Sequence, residues 1–281
     1  MAETNYRAET LAPTVAVTRE EGKLSTALRP RRFRLSKVRL MQIVSIVVLL
    51  GLWKIISTQT SSLTLPGPVP VFVALVRLLF SWEFWHSLLI SVQSLALGYA
   101  VSVVIGLIAG VAVGLISRKM GVIFDAYLII GLSVPIAGLI PVDVMVFGIG
   151  LAARVMVVVL FAVFQIAINV VTGVREADRS LVEMAHSFGA SYLRVFWRII
   201  LPDAVPSIMA GMRLGLGRGI VGMVTSELIL LSVGVGRMVV KFSSSFQTAK
   251  LLAYLILIVS FGVVMMAGVQ WLERRLTRWY K

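Results

Sequence analysis

The sequence predicts an all-α membrane protein with about six transmembrane helices. Three observations carry this. Of 281 residues, 58% are hydrophobic and only 14% are charged, too few polar groups to cover a soluble domain of this length. The apolar residues occur in long uncharged runs, such as Ile90 to Ile116, as membrane spans require. The cations gather where spans end: Arg29, Arg31, Arg32, Arg34, Lys37 and Arg39 precede the first apolar run, and Arg274, Arg275, Arg278 and Lys281 follow the last. Positive residues flanking spans mark the cytoplasmic side.

Residues 1–37 are polar, mixed in charge and without apolar period, and are expected to form a disordered basic cytoplasmic tail. The late apolar run and the lack of a small-residue cleavage site after it argue against a cleaved signal peptide. Residues 38–281 are expected to form the transmembrane domain. Its first span is Val38–Ser57, with Lys54 near the outer end, where it can snorkel. The segment Pro66–Trp85 is semi-apolar and rich in Phe and Trp, which suits the outer interface; a re-entrant turn is the alternative. The remaining spans are His86–Ile116, Phe124–Phe147, Ala152–Val174, Pro206–Ile229 and Leu251–Trp271. Cations favour the even-numbered connections, which places both termini in the cytoplasm.

The second span carries Gly98, Ser102, Gly106, Gly110 and Gly114 at every fourth position. That stripe lies on one helix face and lets another backbone come close. Gly211, Gly215 and Gly219 repeat the device in the fifth span. The third span contains Pro135 and Pro141, each lacking a backbone donor. It is expected to be kinked, either for structure alone or to line a pathway.

Polar residues inside spans default to functional candidates. They are Asp143, Gln165, Asn169, Arg213, Arg218 and Glu227. One reading is structural pairing between helices; the other is the lining of a pathway for a polar solute, with Arg213 or Arg218 favouring an anion.

The connection over residues 175–205 is long and cytoplasmic in this topology. Ser180 with Glu183 fits a capping box, opening a helix over Leu181–Phe188 that Gly189 ends in a left-handed turn. Leu181, Ala185 and Phe188 share a face, an apolar ridge that a soluble partner could bury. A second short helix, Tyr192–Ile200, is expected to stop near Pro202.

The spacing Glu183-Met184-Ala185, three residues, Gly189, nine residues, Ile199, one residue, Leu201-Pro202 resembles the EAA loop of ABC-importer permeases. Met184 stands where that family usually has Ala. Leu65-Pro66-Gly67-Pro68, Phe147-Gly148-Ile149-Gly150, Gly234-Val235-Gly236 and Leu272-Glu273-Arg274-Arg275 look like the nitrate/sulfonate/taurine/bicarbonate branch of the same family. The resemblance implies a type I importer permease fold in a bacterial inner membrane, with a coupling helix whose Leu181, Glu183, Ala185, Phe188, Gly189, Leu201 and Pro202 serve a cytoplasmic ABC ATPase dimer. It also implies a second permease copy, expected as a homodimer, and a periplasmic or lipid-anchored solute-binding protein. The solute would be small and anionic.

The chain has no G-x-x-x-x-G-K-[ST] sequence, so it holds no P-loop, and ATP and Mg are expected on the partner. No cofactor or metal is expected in this chain. Having no cysteine, it has no thiolate metal ligand or Cys nucleophile. His86 and His186 fall on opposite membrane sides, which removes the simplest enzyme constellation. No basic stretch interleaves stacking aromatics, so nucleic acid is not a partner. The alternative transport mode is a proton-coupled carrier using Asp143 and Glu227 without an ATPase.

Overall fold

The computed structural model describes residues 37–60, 64–116, 118–230 and 233–276; apart from Lys37, the expected tail lies outside the described residues. The chain divides into two units, residues 1–49 and 50–281. Helix α1 (Lys37–Gln59) begins in the first, where the described side chains are exposed and mostly apolar.

The described residues of the second unit form helices and the turns that join them. It contains α2 (Pro68–Leu79), α3 (Trp82–Leu115), α4 (Arg118–Ser133), α5 (Ile140–Phe147), α6 (Leu151–Arg175), α7 (Arg179–Ser187), α8 (Tyr192–Val195), α9 (Leu201–Leu230), α10 (Gly234–Ser244) and α11 (Thr248–Leu276). By length and composition, five helical stretches can cross a membrane, and a sixth if α4 and α5 count as one broken span.

Helix α6 is the centre of the bundle, with Val157, Val158, Ala162, Ile166 and Val170 fully buried. The small-residue stripe of α3 lies against it in register. A Cβ added at Gly98, Gly106, Gly110 or Gly114 would run into Val158, Ile166, Val170 or Val174 respectively. Gly211 and Gly215 of α9 press on the same helix against Asn169 and Ile166, so that Ile166 meets a glycine from each neighbour. Two glycine stripes thus pack on one helix rich in β-branched residues, the close backbone approach that replaces a hydrophobic driving force in lipid.

The Pro66–Trp85 segment is the helix α2 and a tight turn. Pro68 takes the first helical position, where its missing N–H costs nothing. Val71 and Ala74 pack on Ala253 of α11, and Ser81 caps α3 by accepting from the Phe84 N–H at 3.2 Å.

Two expectations need correction. The third span is not one kinked helix: α4 stops at Ser133, a 3₁₀ turn occupies Ile136–Leu139, and the two halves bend by 80°. Pro135 makes the break, whereas Pro141 sits in the first turn of α5, where a proline starts a helix rather than kinking it. Nor does Pro202 end a helix. Residues 192–230 run on through a π-turn at Phe196–Ile200, so the fifth span starts before Pro206. The Leu201 N–H reaches five residues back to the Phe196 carbonyl, and this widened turn accommodates the Pro202 ring.

Candidate functional site

The α6–α9 connection is built around α7. Its N-cap is Asp178, not Ser180: the Asp178 carboxylate accepts from the Ser180 N–H at 2.8 Å and from the Ser180 hydroxyl at 2.7 Å. These two bonds hold the Asp178 carboxyl below the usual aspartate range. The Asp178 N–H in turn donates to the Asp203 carboxylate at 3.0 Å, tying the start of α7 to the first turn of α9. At the other end Gly189 has φ +77°. Its N–H bonds the His186 carbonyl at 2.9 Å, and the Ala190 N–H bonds the Ala185 carbonyl at 3.0 Å, the paired bonds of a Schellman end. The rings of His186 and Tyr192 pack 4.7 Å apart across this turn.

The helix so fixed is amphipathic. Leu181, Met184 and Phe188 are exposed, Phe188 by 85%, and Ala185 is half-buried. Tyr192, Leu193 and Trp197 extend the exposed apolar surface. Glu183 is exposed, and Leu201 and Pro202 lie half-buried at the base of α9, apart from that surface.

The intramembrane polar residues divide into distinct places. Arg213 pairs with Glu273 of α11 at 3.2 Å. Asn169 donates to the Gln165 carbonyl at 2.7 Å, and the Gln165 side chain is half-buried. Asp143 is buried in α5, and neither carboxylate oxygen has a hydrogen-bond partner among the described residues.

Glu227 is fully buried in a cluster. It accepts from the Ser91 hydroxyl at 2.8 Å and the Gly236 N–H at 3.1 Å. Arg154 Nη1 stands 3.7 Å away, a charge contact too long for a hydrogen bond. Ser91 also accepts from the Val235 N–H at 2.9 Å, so the carboxylate joins α3, α6, α9 and α10. Neither Ser91 nor Arg154 was among the sequence candidates. Ser87, Ser91 and Ser94 continue the small buried residues of α3 back from Gly98 toward its start, and that spacing is a usable signal for Ser91.

Arg218 differs from all of these. It is exposed and forms no ion pair among the described residues. It lines a cleft of about 240 Å³ at the break between α4 and α5, together with Pro135, Leu160 and Phe164. A larger cleft, about 620 Å³, opens toward α7 between α4 and α6. There Arg175 pairs with Asp125 at 2.6 Å and reaches the Val113 carbonyl.

Long apolar helices around a broken span, an uncompensated cation at the break and an exposed amphipathic helix define a polytopic transport subunit. The match to known proteins gives the family. The family model for the binding-protein-dependent transport system inner membrane component covers residues 102–278, and the chain belongs to that family. It is 31% identical to the taurine transport system permease protein of Escherichia coli, over 89% of this chain and 93% of the relative. It is 34% identical to a putative aliphatic sulfonates transport permease protein of the same organism, over 83% and 89%. A Bacillus subtilis permease of the latter description is 31% identical over 83% and 84%. The fold matches a chain of the inward-facing methionine ABC transporter with TM-score 0.56 and 22% identity, over 74% of this chain and 98% of that one. The chain is therefore the membrane-spanning permease of an ABC importer, and permeases of this family are not themselves enzymes.

Proposed function

We propose that this permease passes a small organic anion of the sulfonate class. Arg218 carries the reading: a cation at a break in a spanning helix attracts an anion, and no carboxylate among the described residues pairs with it. The names of the relatives point to the same class of solute. A solute-binding protein delivers the anion, and two copies of this chain pair to enclose the path in a bacterial inner membrane. Cation placement puts both termini and α7 on the cytoplasmic side. There the exposed face of Leu181, Met184 and Phe188 docks on a separate ATPase, which holds ATP and Mg. The Asp178–Asp203 bond passes the motion of α7 to α9, whose Arg218 faces the cleft.

The test is uptake of taurine and short alkanesulfonates into proteoliposomes holding the complete transporter. Uptake should require ATP hydrolysis, and Arg218→Gln should lower it by about tenfold or more, the effect of losing ~1.4 kcal/mol of anion stabilisation. Uptake driven by a proton gradient without ATP, or full sulfonate uptake by a well-assembled Arg218→Gln variant, would overturn the proposal.

A further inference from the structure

Both clefts are walled in part by α4 and α6, and they share no lining residue. The one nearer α7 is walled by Asp125 and Ile129 of α4 and by Ile168 and Thr172 of α6. The one holding Arg218 is walled by Leu160 and Phe161 of α6 and by the residues of the break. Gly131 and Phe164 also line the Arg218 cleft, and along α4 and α6 they are its lining residues nearest in sequence to the other cleft. The Phe164 ring lies so close over Gly131 that a Cβ there would overlap it. The glycine is what leaves room for the aromatic ring at this point of α4. Two residues beyond Gly131, α4 ends, and the chain turns through 80° at Pro135. The contact therefore sits beside the one broken point of the described spans.

We propose that Phe164, seated on Gly131, is the closed constriction of the solute path, and that the turn at Val134–Pro135 is the hinge that opens it. This rests on the reading that the solute passes the Arg218 cleft. An apolar ring in a narrow passage blocks water and ions by dewetting. A small rotation of α4 about Pro135 lifts Gly131 from the ring and joins the two clefts. Arg175 links α4 to the end of α6 through Asp125, four residues before the start of α7, so motion of α7 has a direct route to α4.

Thiol accessibility tests this in the reconstituted complete transporter. The chain has no cysteine, so a single Leu160→Cys or Thr172→Cys is the only thiol of the permease, and labelling is read on the permease band. In the ATP-free transporter, an impermeant maleimide applied from the α7 face should label Thr172→Cys at least about tenfold faster than Leu160→Cys, since a closed passage adds a barrier to the inner position. Adding Phe164→Ala should bring the two rates to within about twofold, whereas Phe164→Leu, which keeps an apolar plug, should preserve the protection. If Phe164→Ala does not assemble with the ATPase, Gly131→Ala displaces the ring instead and should expose Leu160→Cys in the same way. Equal labelling of both positions with Phe164 and Gly131 intact would overturn the proposal. So would continued protection of Leu160→Cys in an assembled Phe164→Ala or Gly131→Ala variant. Labelling needs no transported solute, so it separates this constriction from the anion reading, which the Arg218→Gln uptake measurement decides.

Discussion

Arg154 and Glu227 meet inside the bundle, Nη1 to Oε1 at 3.7 Å, with 7% and 0% of their side chains exposed. The pair joins the first turn of α6 to the end of α9, where Ser91 and Gly236 complete the carboxylate's shell. Removing one partner of a buried pair strands the other charge, at a cost of about 3–5 kcal/mol. Arg154→Met should therefore cause a large loss of folded transporter, measured as the monodisperse fraction after graded heating. Replacing both charges, as Arg154→Met with Glu227→Gln, should recover much of it. A single variant as heat-resistant as the parent would show that the charges do not compensate each other.

The Gly189 turn gives a prediction about coupling. With φ +77° and open space around a built Cβ, a substitution there is penalised by backbone conformation and not by a clash. A β-branched residue in this region costs about 1–2 kcal/mol, a factor of about 5–30 in the population that keeps the turn closed. Gly189→Val should lower solute uptake per ATP hydrolysed by a comparable factor while the permease still assembles. Gly189→Asn should be milder, since Asn tolerates the left-handed region. Uptake per ATP unchanged by Gly189→Val would remove the turn from the coupling path.

Asp178 makes the same helix sensitive to pH. Its folded carboxyl is depressed by the Ser180 hydroxyl and amide. A depressed acid stabilises the folded form fully above its unfolded pKa, and that contribution is lost as pH falls through the folded value. Amide exchange in α7 should accordingly be protected at neutral pH, and the protection should begin to fail as pH drops below the ordinary aspartate pKa. Asp178→Ala should be unprotected at neutral pH and insensitive to acid. Identical exchange profiles for the parent and Asp178→Ala would show that the cap does not hold the helix.

Much of this was legible before the fold was known, because membrane constraints act locally. Span length is fixed by the bilayer, so the long helices appear as uncharged runs such as Ile90–Ile116. The Gly98–Gly114 stripe announced a close helix contact, and Gly189 announced a helix end. What was not legible depended on partners far along the chain. Nothing near Gly98 says that its partner is Val158. Ser180 and Asp178 are both good caps, and the choice turns on whether Arg179 is already helical. Pro135 and Pro141 are the same residue type in one apolar run, yet one breaks the helix and the other begins the next. Pro202 looked like a terminator because a sequence does not display the π-turn that makes room for it. Arg213 and Arg218 stand five residues apart on α9, and only the fold puts one beside Glu273 and the other in a cleft.

The glycine stripe supplies the last prediction. At Gly110 a Cβ would sit 2.6 Å from the Val170 Cβ and 2.9 Å from the Ala167 carbonyl. Both neighbours belong to the central helix, and a backbone oxygen cannot turn aside as a flexible side chain can. Gly110→Ala must therefore push α3 from α6, at a cost of about 1–3 kcal/mol for overpacking. Gly268 of α11 is the control, since nothing lies within 4 Å of its Cβ. There the helix propensity of alanine should make Gly268→Ala neutral or stabilising by up to about 1 kcal/mol. The heating assay used for Arg154 should rank Gly110→Ala below the parent and Gly268→Ala at or above it. Equal stability of the two variants would mean that α3 and α6 can separate without cost, contrary to a register fixed by Gly98, Gly106, Gly110 and Gly114.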